Sequence, residues 1–205
     1  MENQNTNNIE VQNLEILPPT KPTARESVWD LAKFLLIALA IVLPIRFFVA
    51  QPFVVSGLSM YPTFNNGNYL IVDEISYKMH NPARGDVIIF HYPKDPTKYF
   101  IKRVIGLPGE TVKIDGSTVS IKNSAHPDGF VLDEPYVKNK SSNQSQYVLG
   151  PDEYFMMGDN RSASSDSRIW GNLPKKLIVG RAFLRLYPLS DLNVLPGEYK
   201  PEGTN

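Results

Sequence analysis

The chain has 205 residues, 42% hydrophobic and 20% charged, which supports a packed core and excludes a wholly disordered protein. Lys and Arg total 21, as do Asp and Glu, a balance that argues against a dedicated nucleic-acid binder, whose affinity comes mainly from neutralised phosphates. Cysteine is absent, so disulfides and thiolate metal sites are excluded, and His80, His91 and His126 show no HExxH-like spacing.

Residues 1–20 are rich in Asn, Gln and Glu and read as a disordered tail, extended here to residue 27. The next stretch is "VWDLAKFLLIALAIVLPIRFFVAQPFVV". Its uncharged part, residues 34–45, is 12 residues long, short against the roughly 20 that a bilayer core requires. Residues 34–55 make 22, interrupted by Arg46 alone, and an arginine near one end can snorkel to the headgroups. A cleaved signal peptide fits less well, because Phe48 stands where a small residue is wanted two places before Ala50. A buried core helix would show a polar stripe, and residues 34–42 have none. The expectation is one N-terminal transmembrane helix over residues 28–50. Lys21, Arg25 and Lys33 flank its first end, which favours an N-terminus on the cytoplasmic side and a domain outside, at a plasma membrane or thylakoid.

After residue 51 the pattern becomes short and alternating. "YLIVDEISY", "DVIIFHYP", "KYFIKRVIG", "TVKID", "STVSIK", "EYFMMGD" and "IVGRAFLRLYP" are strand-like, separated by "NNGN", "NPARGD", "GLPGE" and "IDGS". "TVKIDGSTVSI" reads as a hairpin turning at Asp115 and Gly116. "KNKSSNQSQ", residues 138–146, reads as a mobile loop, and residues 199–205 as a tail. No long amphipathic helix follows the apolar stretch. The expected fold is mainly β over residues 51–198, with folded antiparallel sheets forming a barrel-like domain.

Ser59, in "SGLSMYPTF", is by itself either a turn serine or a nucleophile, and a serine nucleophile needs a base. In "YFIKRVIG" a strand places Phe100, Lys102 and Val104 on one face and Ile101, Arg103 and Ile105 on the other. Each face is apolar with one cation, so the pattern does not say which cation points inward. Chemistry separates them as bases: Arg stays protonated, whereas a buried Lys can become a neutral amine. A fall from about 10.4 to about 8 costs roughly 3 kcal/mol. A snorkelling strand lysine is the other reading. "SASSDS", taken alone, is a Ser-rich turn.

Taken together, "RFFVAQPF", "SGLSMYPT", "KRVIGLPGE" and "GDNRSASSDSRIWG" resemble bacterial type I signal peptidases, membrane-anchored serine proteases that remove signal peptides. The resemblance covers the apolar stretch and most of residues 47–187. It implies Ser59 as nucleophile and Lys102 as general base, with Ser164 orienting the amine and an Asp166–Arg168 ion pair bracing the site. Gly57 and Met60 are expected to contact substrate. No metal and no cofactor are expected. The implied partners are signal-peptide-bearing pre-proteins and the lipid bilayer, without nucleic acid; oligomeric state is not legible. Met60, Tyr61 and Phe64 fit either lipid contact or the core. The chain departs from the family pattern at two places. Gly57 stands where many members have an oxyanion-binding serine, leaving the Ser59 N–H with its co-donor open, and Ala163 stands where Asn is common. Two other functions compete: a membrane-tethered β binding module without activity, and a Ser–Lys processing protease with a different substrate.

Overall fold

The computed structural model describes residues 24–44, 50–138 and 143–199. The chain divides into two compact units, residues 1–42 and 43–205. In the first, helix α1 (Ala24–Pro44) carries the apolar stretch, and Val28, Trp29, Phe34, Leu36 and Ile37 are all more than half exposed. No described helix is long and apolar enough to cross a membrane. The expected tail falls outside the described residues up to residue 23, while residues 24–27 belong to α1.

The second unit is mainly β. Its strands are β1 (Ala50–Val54), β2 (Tyr69–Asp73), β3 (Val87–Tyr92), β4 (Asp95–Gly106), β5 (Thr111–Gly116), β6 (Thr118–Lys122), β7 (Phe130–Val131), β8 (Asn143–Val148), β9 (Glu153–Met157), β10 (Leu173–Pro174), β11 (Ile178–Tyr187) and β12 (Asn193–Val194). Two short helices, α2 (Ser76–Met79) and α3 (Ser167–Trp170), interrupt them. The end of the apolar stretch is therefore strand: α1 stops at Pro44 and β1 starts at Ala50.

The larger sheet runs β1-β2-β11-β3-β4-β9-β10, with β12 beside β11; the smaller runs β7-β6-β5-β8. All described pairings are antiparallel. Neither path returns to its first strand, so the expected barrel-like closure is corrected to two open sheets. In the larger sheet the edge strands β1 and β10 each pair on one side only, and nothing among the described residues joins them.

Burial explains the strand sequences. In β3, Val87 and Ile89 enter one core cluster and Ile88 and Phe90 another. A strand covered on both faces reads as a continuous apolar run. The hairpin β5–β6 alternates instead: Val112, Ile114, Val119 and Ile121 are buried while Lys113 and Asp115 face solvent. Asp115 pairs with Thr118 across the turn, where the hairpin was expected. Residues 143–146, expected as loop, instead open β8, which pairs with β5 from Gly116 to Thr111. Backbone hydrogen bonds define this edge strand, and Gln144 and Gln146 face solvent, so no apolar alternation marked it.

Candidate active site

The turn that carries Ser59 joins β1 to β2. Met60 and Phe64, 1% and 0% exposed, anchor it in the core with Val55, Leu70 and Val72. Met60, expected to contact substrate, packs its side chain inward, because an apolar thioether beside this cluster gains more from burial than from water. The same holds for Phe64 against lipid, while Tyr61 is exposed. Gly57 has φ +92, a conformation that side-chain-bearing residues rarely adopt, and a Cβ there would meet open space. Its N–H donates to Asn66 Oδ1 at 2.9 Å.

β4 supplies the lysine. Its middle is covered on both faces, and Lys102 and Arg103 are 4% and 1% exposed. Arg103 forms a bidentate ion pair with Asp159, at 2.8 Å from Nε and 2.6 Å from Nη2, and its guanidinium lies 3.9 Å from the Tyr136 ring centre. Lys102 turns the other way. Its Nζ lies 2.9 Å from Ser59 Oγ and donates to Ile101 O at 2.8 Å. The Lys102 carboxylate neighbours, Asp166 and Asp159, favour the charged amine, but burial outweighs them and pushes the lysine down to about 8.

The loop between β9 and β10 closes around the serine turn. Asp166 holds Arg168 in a bidentate pair at 2.7 and 2.8 Å and accepts the Gly158 N–H at 3.0 Å. Gly158 packs directly against the Ser59 carbonyl and the Ser164 side chain, and a Cβ there would overlap both. Ser164 Oγ is buried and, among the described residues, makes no hydrogen bond, to Lys102 or to any other group. The amine bonds that the structure gives Lys102 go to Ser59 and Ile101.

Three residues escaped the sequence reading. Thr63 donates its hydroxyl to Asp159, tying the serine turn to the Arg103 pair. Glu134 forms a buried pair with Arg161. Asn160 reaches the serine turn with two hydrogen bonds, from its N–H to Ser59 O at 3.0 Å and from Nδ2 to Leu58 O at 3.1 Å. "GDNR" was visible as a motif, but nothing in one sequence says which carbonyls an amide will meet.

A groove of about 440 Å³ opens at Ser59 and Lys102, lined by Phe53, Val55, Tyr99 and Ile101 among others. Phe53 and Tyr99 meet edge to face at its wall, ring centres 5.1 Å apart. Among the described residues no three His, Asp or Glu side chains gather as a metal site.

The family model described as signal peptidase, peptidase S26 matches residues 28–187, well over half of the chain. The chain belongs to that family. It is 40% identical over 176 residues to a probable signal peptidase I-1 of Synechocystis sp., covering 80% of this chain and 87% of the relative. It is 37% identical over 196 residues to a signal peptidase I of Leptolyngbya laminosa, covering 87% and 91%. A solved signal peptidase I from Enterococcus faecalis is similar at 29% identity and a TM-score of 0.41, covering 50% of this chain and 97% of that one. Within a signal peptidase, the pairing of a buried lysine with a serine at the mouth of an apolar groove is the arrangement to account for.

Proposed function

We propose that the chain removes signal peptides from exported pre-proteins by acyl transfer, with Ser59 as nucleophile and Lys102 as general base. Family membership makes it a serine endopeptidase, hence a hydrolase. The observation that carries the residue roles is the 2.9 Å separation of Lys102 Nζ from Ser59 Oγ in a buried setting. A neutral amine there accepts the serine proton as Oγ attacks the scissile carbonyl carbon. The carbonyl electrons move to oxygen, and the Ser59 N–H stabilises that oxyanion. On collapse the carbon–nitrogen bond breaks, the new amine of the mature protein takes the proton from Lys102, and the signal peptide stays as an ester on Ser59. Water, deprotonated by Lys102, then releases it as a carboxylic acid. Asp166 and Arg168 brace the loop through the Gly158 N–H, and the Ser164 hydroxyl stands beside Ser59 on Gly158.

The substrate enters as an extended strand. Among the described residues β1 has no neighbour beyond β2, and β4 pairs with β9 only from Arg103 onward, so β1 and β4 both offer unpaired edges at the groove. A peptide adds there by backbone hydrogen bonds, and the apolar groove takes small side chains at alternate positions. Gly57 lets the peptide backbone come close. We assign α1 to the lipid bilayer, with the N-terminus cytoplasmic and the β unit on the far side, on its exposed apolar surface and the basic residues at its first end.

Incubating the detergent-solubilised full chain with a radiolabelled pre-protein tests this. Mature product is expected from the wild type and none from Ser59→Ala, Lys102→Ala or Lys102→Arg, since arginine does not give up its proton. Robust cleavage by the arginine variant would refute the lysine base. Binding without any cleavage by the wild type would point to a tethered binding module instead.

A further inference from the structure

We infer that Asn160 is a positioning residue that aims the Ser59 N–H at the oxyanion; this rests on the oxyanion role proposed above. Leu58 C=O and Ser59 N–H belong to the same planar unit and point in opposite directions. Whatever holds the carbonyl therefore fixes the direction of the N–H. Asn160 Nδ2 donates to Leu58 O at 3.1 Å, joining the Tyr61 N–H that donates there at 3.1 Å. The next peptide plane is held too, because the Asn160 N–H donates to Ser59 O at 3.0 Å. One residue thus grips the carbonyls before and after the Ser59 Cα.

The Ser59 N–H has no acceptor among the described residues and so is free to serve a ligand. The side-chain amide has only one sensible orientation. A carbonyl can only accept, so the nitrogen must face Leu58, and the Ser162 hydroxyl donates to Asn160 Oδ1 at 3.3 Å. Asn160 is 6% exposed, and neighbouring Asp159 is bonded to Arg103 and Thr63. The clamp therefore stands on a rigid base rather than on a loose loop. It also matters more in this chain than in one with a serine at position 57, because Gly57 brings no hydroxyl and the backbone N–H carries more of the charge.

The experiment compares wild type with Asn160→Ala and Asn160→Ser in the full-length detergent-solubilised protein. Each is assayed for peptide cleavage and for binding of two probes: a peptide aldehyde ending in alanine, which forms a tetrahedral adduct on Ser59, and the matching peptide alcohol, which does not. The expected result is a fall in kcat of about 10- to 100-fold with KM within about twofold, since losing a whole oxyanion donor costs 100- to 1,000-fold. Aldehyde affinity should fall in step with kcat, alcohol affinity should hold, and the midpoint of the pH–rate profile should stay put. Unchanged kcat in either folded variant overturns the inference, as do equal losses for the two probes or a shifted midpoint. Asn160→Ser shortens the reach to Leu58 while staying polar, so it serves if the alanine variant unfolds. Failure of the underlying reading is separate: it appears as cleavage by Ser59→Ala, whatever Asn160 does.

Discussion

Lys102 and Gly158 are the residues on which small chemical changes should have large effects. An unfolded lysine keeps its proton to about pH 10.5, whereas the folded one loses it near 8. Between those values the unfolded chain binds the extra proton, so stability rises with pH; below 8 the full penalty of about 3 kcal/mol remains. Lys102→Met should therefore be more stable than wild type at pH 7 by about that amount in urea unfolding, with the gap closing toward pH 10. The wild-type kcat/KM should climb tenfold per unit below pH 8 and level off above it, because only the neutral amine accepts a proton. At Gly158 an added methyl pushes on Ser164 and on the Ser59 carbonyl. Gly158→Ala should lower kcat about 100-fold, the effect of a misplacement near 1 Å, with the thermal midpoint much less affected. Ser59 and Lys102 could be singled out only from the four motifs taken together, since pattern alone left Ser59 a possible turn serine and did not choose between Lys102 and Arg103. Asn160 and Thr63 could not be singled out, since their roles lie in bonds across 102 and 96 positions of sequence.

The turn between β4 and β5 shows how an element is fixed by one buried charge. Glu110 takes a bidentate bond from Arg84 at 2.8 and 2.6 Å, the Leu107 N–H at 2.8 Å and Asn123 Nδ2 at 2.9 Å. Burial alone raises this carboxyl, but these donors together hold it below its ordinary value. Its stabilisation is present above the unfolded carboxyl range and is lost as pH falls through the lowered value. Glu110→Gln leaves Arg84 buried and unpaired, and should cost about 3–5 kcal/mol in denaturant unfolding. The strands whose side chains do the packing were legible from sequence: β2, β3, β5, β6, β9 and β11 all sit on the apolar runs. β8 and α2 were not. β8 is held by its backbone, and α2 has no buried residue to leave a periodic trace.

At the scale of the molecule, the three core clusters draw only on residues from 53 onward. A fragment of residues 45–205 should therefore unfold as cooperatively as the full chain, while floating poorly with lipid vesicles that the full chain follows. Equal flotation of the two would remove α1 from its assigned place. Sequence pattern could suggest β-sheets but not their openness, because closure depends on which edges meet and β1 and β10 carry no mark of being ends. The adjacency of Lys102 and Arg103 on opposite sides of β4 has a further consequence. Slipping this strand by one residue would put either Arg103 at the serine with Val104 beside Asp159, or Lys102 beside Asp159 with Ile101 at the serine. Lineages of this enzyme can thus exchange side chains along β4 more freely than they can gain or lose a codon within it.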